Sequence, residues 1–398
     1  GRSFRPTRLT AAHGWAAAQG ASFIESGPWL RAQWFPRPGE TDWLQSCTRE
    51  VKAVRSAVGI CDVSTLGKID IQGPDAAVLL DRLYANTMST LPVGRARYGL
   101  MLREDGFVFD DGTVSRHGPE RYLMTTTTAQ AGKVMQHIEH ALQWLWPSLD
   151  VQAVSVTEQW AQFAVAGPRS RELLARIVDG ADISDAAVPY MAAVELTALG
   201  GVPARLYRIS FSGELAYEIG VPSGYGEALA AALVAAGSDL GVTPYGLEAM
   251  SVMRIEKGHV AGAELNGQTT AADLGLGKMM STKKDFVGRT MAQRPALTDP
   301  DRPTLVGFRT VNAADRVTSG AHFLDAGAAP TMANDLGHIT SVAFSPAEGR
   351  WIGLGLMVRG PQRIGERVRA WDGVRNRDVP IELCAPCFYD PAGARLRG

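Results

Sequence analysis

The chain has 398 residues, 45% hydrophobic and 20% charged, with a formal net charge of -1. That length exceeds a usual single core, so two or three domains are expected, built as an ordered globular protein. The near-zero charge and the lack of Lys/Arg blocks exclude the usual footprint of a nucleic-acid binder, and apolar runs such as 228–236 are too short to cross a bilayer.

No signal peptide is visible at the start, and the opening Gly-Arg-Ser reads as part of a longer polypeptide. The first forty residues, rich in Trp, Phe, Gly and Pro, read as an irregular arm. Residues 48–58 have a helical pattern, and Gly59-Ile-Cys-Asp-Val-Ser starts a strand. Gly73-Pro-Asp opens a helix over 76–83. Three short strands are expected at 98–102, 107–114 and 122–127, joined by Glu104-Asp-Gly and His117-Gly-Pro as an antiparallel meander.

Residues 129–146 form an amphipathic helix by pattern, 161–166 a short apolar strand and 170–178 a helix. Residues 205–221 alternate as strands, followed by helices over 226–237 and 247–257. The stretch 294–303, with three prolines, is the expected linker. Beyond it, 304–389 shows short strands between Gly and Pro, which predicts a small β-barrel. The class is therefore α+β, with residues 1–293 as one region of two interleaved α+β subdomains and 304–398 as an all-β domain.

The cysteines Cys47, Cys61, Cys384 and Cys387 are too few for a disulfide scaffold and fit a reducing cytoplasm. Cys384-Ala-Pro-Cys387 has redox or zinc spacing, but it lies in an apolar strand-like run without a second pair, and reads as packing. No metal site is expected. No Gly-rich dinucleotide fingerprint follows a strand, so no NAD or flavin motif belongs to this chain.

One stretch stands out: Gly106-Phe-Val-Phe-Asp-Asp-Gly-Thr-Val114 sets two adjacent carboxylates in an apolar strand pattern. Desolvating carboxylates is costly, so such a pair needs a reason. Alternation places Phe107, Phe109 and Asp111 on one face and Asp110 on the other, where Asp110 reads as structural. An apolar face would raise the pKa of Asp111. The competing reading is that Asp-Gly merely starts a turn.

Several segments together resemble the aminomethyltransferase family, the glycine cleavage T-proteins. They are Cys61-Asp-Val-Ser, the stretch just quoted, Ala166-Gly-Pro, Phe211-Ser-Gly-Glu-Leu-Ala-Tyr-Glu218 and Arg254-Ile-Glu-Lys-Gly258. Within that family the chain most resembles the C-terminal half of the heterotetrameric sarcosine oxidase alpha subunits. That likeness rests on Phe4-Arg-Pro-Thr, Tyr122-Leu-Met-Thr-Thr-Thr-Thr128, Asp273-Leu-Gly-Leu-Gly277, Lys283-Lys-Asp-Phe-Val-Gly-Arg289 and Phe388-Tyr-Asp-Pro391.

The resemblance implies a three-domain cloverleaf around a central tetrahydrofolate site, with the barrel at the C-terminal end. It implies that Asp111 lies near the folate nitrogens, where a carboxylate can hold the amine and accept its proton. Glu218 matches the glutamate that reads the pterin, since a carboxylate accepts paired N–H groups; alternation alone makes it a solvated strand residue. Phe211 and Tyr98 match aromatics beside the ligand, Phe211 reading equally as a core residue. Met124 and Thr125 match a pocket strand that contributes backbone groups.

Met250 departs from the pattern, because T-proteins carry an Arg there and methionine cannot make that contact; it reads as a core residue of the 247–257 helix. Lys283 and Lys284 read as a solvated pair, or as a receiver for a glutamate tail or a partner. The implied activity is capture, as 5,10-methylenetetrahydrofolate, of the one-carbon unit from sarcosine oxidised at a flavin on another subunit. The alternatives are a stand-alone folate-dependent aminomethyltransferase or demethylase, and a non-catalytic folate-binding or assembly module. A tRNA-modifying relative would need a Cys where Lys257-Gly-His259 stands.

Overall fold

The computed structural model describes residues 8–398, so the Phe4-Arg-Pro-Thr segment lies outside the described residues. The chain divides into two compact units. One holds the residues up to Leu100, Asp110–Met250 and Ala394–Gly398; the other holds Met101–Phe109 and Ser251–Gly393.

In the first unit residues 8–34 form regular elements, not an irregular arm. Strands β1 (Arg8–Leu9), β2 (Ser22–Ser26) and β3 (Trp29–Trp34) pair in the order β1-β3-β2, with helix α1 (His13–Ala18) between the first two. The aromatic residues that suggested an arm are partly core: Trp29 and Phe35 are buried. Helix α2 (Trp43–Ser56) starts five residues before the position its pattern gave. The reason is a cap: the Asp42 carboxylate accepts the Gln45 N–H at 2.9 Å, which satisfies one of the free donors of the first turn.

Strands β4 (Val58–Asp62) and β5 (Gly67–Gln72) follow, then α3 (Ala76–Leu83), which matches its predicted bounds. The meander is present as β6 (Arg95–Leu102), β7 (Val108–Gly118) and β8 (Arg121–Thr126). Together with β9 (Gln152–Ser155) these make a five-stranded sheet of order β6-β7-β8-β5-β9. The amphipathic segment before β9 is α4 (Ala131–His140), ending in a π-helical turn over Ala141–Leu145.

A six-stranded sheet follows. Its strands are β10 (Trp160–Ala166), β11 (Ala193–Ala198), β12 (Val202–Tyr207), β13 (Ala216–Pro222) and β14 (Val242–Pro244), with β4, in the order β11-β12-β13-β10-β4-β14. Helices α5 (Ser170–Ala175) and α6 (Gly226–Ala236) join Leu173, Leu174, Leu229 and Leu233 to Phe163, Val165, Tyr217 and Ile219 in one core. Alternation therefore turns Gln162, Ala164 and Glu218 away from that core. The predicted run 205–221 is not continuous strand. Residues 208–215 form a non-strand connection between β12 and β13, around Gly213 at φ 84°.

Helix α7 (Leu247–Lys257) has its predicted bounds. In the second unit the expected linker is ordered: 3-10 turns cover Met291–Gln293 and Pro295–Leu297, Leu297 is buried, and Arg294 donates to the Asp105 carbonyl at 2.7 Å. The barrel is closed. Its strands β15 (Pro303–Thr310), β16 (His322–Leu324), β17 (Gly337–Ser345), β18 (Arg350–Val358), β19 (Arg367–Asp372) and β20 (Arg377–Cys384) run in the order β15-β18-β17-β16-β19-β20. Closure removes both sheet edges, and Phe308, Phe323, Ile339 and Met357 fill the interior. Among the described residues no helix is long and apolar enough to cross a membrane.

Candidate functional site

The Asp110-Asp111 pair lies inside the 11-residue strand β7, so it does not start a turn. Gly112 explains why an Asp-Gly step is strand here. A Cβ at this position would lie 1.9 Å from the Thr125 carbonyl oxygen of β8, so only glycine lets the two backbones approach.

Both carboxylates are buried, Asp111 to 7% exposure and Asp110 to 1%. The Tyr98 hydroxyl of β6 donates to Asp111 Oδ2 at 2.7 Å. Burial pushes the Asp111 carboxyl up to about 6, against the opposing pull of the Tyr98 bond, which favours the charged form. Asp110 accepts from the Thr127 hydroxyl at 2.7 Å and the Thr127 N–H at 3.2 Å. Its bonds are structural, as alternation predicts, yet burial first and the Asp111 charge later push it up to about 7. Phe107 and Phe109 are only half-buried, so the raised value of Asp111 is traced to burial as a whole and not to a sealed aromatic face.

Removing the Tyr98 hydroxyl tests this balance. Tyr98→Phe leaves the ring and deletes a bond to the ionised carboxylate, a contact worth on the order of 1.5–3 kcal/mol. The Asp111 midpoint is expected to rise by about one to two units from its wild-type position, read by NMR titration of the carboxyl carbon. An unmoved midpoint would show that the hydroxyl does not tune Asp111.

Of the pocket-strand residues, Met124 is wholly buried between Ile69 and Val114, so its side chain is packed. The Thr125 hydroxyl accepts the Thr113 N–H at 2.9 Å and lies 2.8 Å from the Thr113 hydroxyl, two residues beyond Asp111.

Glu218 belongs to a second cluster. It is buried to 8% exposure in central strand β13, so the solvated reading from alternation is wrong. The error has a physical cause: strand β13 is covered on both faces, buried at every position but its last, and strand period then no longer separates wet from dry. Its Oε2 accepts the side-chain amide of Gln162 from β10. Burial raises the Glu218 carboxyl, opposed by the Gln162 bond and by the nearby Lys68 ammonium. Across the sheet Glu218 lies opposite Ala164 and Tyr207, and Ala164 lies opposite Cys61. Directly paired residues share a face, so these side chains point the same way.

Phe211 lies in the 208–215 connection and is 36% exposed, which overturns the core reading. Met250 is likewise half-buried and not a core residue. Lys283 is exposed, and the Lys284 ammonium rests 4.8 Å from the centre of the Phe286 ring. Cys384 and Cys387 are free; burial pushes the Cys384 thiol up to about 12, the state of an unreactive packing cysteine. Among the described residues no three His, Cys, Asp or Glu side chains come together as metal ligands.

The fold thus brings Tyr98 to Asp111, ties Thr125 to Thr113 on the strand that carries Asp111, and groups Glu218 with two residues that the pattern reading missed, Gln162 and Lys68. A polar Gln162 within Trp160-Ala-Gln-Phe-Ala-Val-Ala166 was a visible signal. Lys68 gave none, because alternation in β5 assigns it to the same face as the half-exposed Asp70 and exposed Gln72. Chemically, one buried carboxyl that titrates near neutrality and one buried carboxylate with an unused oxygen suit proton acceptance and anchoring of N–H groups.

Comparison with known proteins gives this arrangement a context. The family described as the GCVT N-terminal domain matches residues 12–284, and the glycine cleavage T-protein C-terminal barrel domain matches 304–390. The chain is 54% identical over its whole length to the sarcosine oxidase subunit alpha of Rhizobium meliloti (strain 1021), of which it spans 40%. It is 43% identical to the corresponding subunit of Corynebacterium sp. (strain P-1), spanning 41% of it. An aminomethyltransferase of Streptomyces coelicolor is 32% identical over 85% of this chain and 88% of its own length. The crystal structure of the glycine cleavage system aminomethyltransferase T from Bartonella henselae shares the fold, with a TM-score of 0.82 at 21% identity over 96% of this chain and 98% of that one. The chain spans about two fifths of the alpha subunits that it matches. With both domains matched in order and the fold shared, the chain belongs to the aminomethyltransferase (glycine cleavage T-protein) family.

Proposed function

We propose that this chain is a tetrahydrofolate-binding module which, within a larger sarcosine oxidase, captures the one-carbon unit released by sarcosine oxidation as 5,10-methylenetetrahydrofolate. The observation that carries the reading is Asp111: a buried carboxyl, bonded by Tyr98 at 2.7 Å and pushed up to about 6. Family membership and the likeness to sarcosine oxidase alpha subunits support the substrate and the setting.

Tetrahydrofolate, when bound, supplies the amine nitrogens that take up a one-carbon unit. The residues present fit such a molecule. Asp111 Oδ accepts the proton that an amine sheds as its C–N bond forms, and its negative charge offsets the cationic character that develops there. Tyr98 positions that carboxylate. Glu218 accepts ring N–H groups through the oxygen left unused by Gln162. Phe211, exposed in its connection, offers a ring face to the ligand. The oxidation itself is assigned to flavin on another subunit, a setting that the likeness to sarcosine oxidase alpha subunits supports. A cytoplasmic setting agrees with the four free cysteines.

Isothermal titration of the chain with tetrahydrofolate tests the reading. Saturable binding is expected, weakened about tenfold or more in Glu218→Ala, as for loss of one charge-assisted contact. Absence of binding, or wild-type binding by both Glu218→Ala and Asp111→Ala, defeats it. Binding without any effect of Asp111 substitutions on product would favour the non-catalytic module.

A further inference from the structure

Lys68 is the least expected buried charge near the Glu218 cluster, with 1% exposure. Its Nζ donates to the carbonyls of Ser64 and Leu66, each at 3.0 Å. An ammonium has three protons, so one remains. The same turn reaches Gln162, whose backbone N–H donates to Ser64 Oγ at 2.9 Å, while its side-chain amide donates to Glu218 Oε2. Lys68, Ser64, Gln162 and Glu218 are therefore linked in one hydrogen-bonded series that fixes their relative positions.

Burying a lysine without a bonded counter-ion is costly. Desolvation holds this one down to about 8, with Glu218 and Asp62 favouring its charge and Arg31 opposing it. Two carbonyls, with Glu218 and Asp62 acting only through their charge, are a poor final set of partners for an ammonium, but a suitable set for one that awaits a ligand acceptor. Glu218 Oε1, with no bond from the described residues, is the matching open acceptor.

We infer that Lys68 is a specificity-determining residue of the Glu218 site, its remaining N–H donating to a ring carbonyl oxygen on the ligand edge whose N–H groups Glu218 accepts. This rests on the folate reading above. A 2-amino-4-oxo-pteridine edge presents acceptor, donor, donor in that order, which Lys68 and Glu218 complement. A 4-amino analogue presents a donor to the ammonium, leaving both groups unpaired.

The test measures binding of tetrahydrofolate and of its reduced 4-amino counterpart to the 398-residue chain. Wild type is expected to prefer the 4-oxo ligand by about tenfold or more, and Lys68→Met to lower that preference below about threefold by weakening the 4-oxo ligand. Because Lys68→Met removes a buried charge and can impair folding, a wild-type pH series provides an independent reading. The preference should fall from about pH 7 to about pH 9 as the ammonium, faced by Glu218, Asp62 and Arg31, loses its proton. A preference that survives Lys68→Met, or that stays constant over the pH series, overturns the assignment of Lys68 while leaving the folate reading intact. Failure of wild type to bind either ligand overturns the folate reading, and the role of Lys68 with it.

Discussion

Asp111→Asn is expected to lower one-carbon capture by about 10²- to 10⁴-fold, the range for loss of a positioned proton acceptor, with tetrahydrofolate affinity close to wild type. Asparagine has nearly the same shape and keeps a carbonyl oxygen for the Tyr98 hydroxyl, now 2.7 Å from Oδ2. What it loses is the capacity to take a proton. In wild type the acceptor must be ionised, and burial sets its midpoint near 6. Capture should therefore rise with pH through about 6 and level above it, and Asp111→Asn should abolish that rise. The measurement is methylene-folate formed per sarcosine consumed by the assembled oxidase, followed across pH. Equal yield in the variant, with the acidic limb unchanged, would remove Asp111 from the chemistry.

Folding linkage for the same group has the opposite sense. A carboxyl whose folded pKa lies above the usual aspartate value of 3.8 favours the folded state most at low pH and loses that contribution as pH rises through about 6. Asp110, pushed up to about 7, adds a cost of the same sign. Activity is thus expected to rise over the pH range where these carboxylates weaken the fold, a trade common where chemistry needs a buried charge.

The second large effect concerns stability. Arg254→Met is expected to destabilise the chain by about 3–5 kcal/mol, because it leaves a buried carboxylate without its counter-charge. Glu264 is wholly buried; it accepts from Arg254 at 2.9 Å, from the Ala261 N–H at 2.8 Å and from the Thr340 and Ser341 hydroxyls at 2.6 Å each. Arg254 also donates to the Ser341 hydroxyl at 2.6 Å, so the pair joins the end of α7 to barrel strand β17 within the second unit. Urea denaturation should show the loss, and the double variant Arg254→Met/Glu264→Gln should recover part of it, since a neutral amide tolerates burial better than an unpaired charge. If Arg254→Met melts as wild type does, the pair contributes little and the hydroxyl bonds alone satisfy Glu264.

Much of this was legible in the sequence. Helices α3 and α7 have the bounds that their periodicity and start signals gave, and the barrel closes where Gly- and Pro-punctuated strands predicted one. Asp111 was visible as a charge out of place in an apolar strand, and Tyr98 as an aromatic of the family pattern. The misreadings share a cause. Alternation alone makes Glu218 solvated and gives no sign of Lys68, because it reports which side a residue takes, not whether that side is covered. Phe211 was given an even chance of being core because hydrophobicity ranks average burial, while its exposure depends on the 208–215 connection.

The sequence by itself determined the family, the order of helices and strands, and the two carboxylates placed where a plain strand would not carry them. Those properties depend on neighbours a few residues away and on local backbone preference. Only the tertiary structure decided that Tyr98 bonds Asp111, that Gln162 and Lys68 flank Glu218, and that Arg254 compensates Glu264. Each of these depends on how strands and loops distant in the chain come together and on how much water they exclude. Electrostatic strength follows from that exclusion, since a charge pair is weak in water and strong where solvent is absent. The two adjacent aspartates show the division plainly. Their positions in β7 and the upward direction of the Asp111 shift were readable from residue order, whereas the shift of Asp110 came from a burial that no local pattern records.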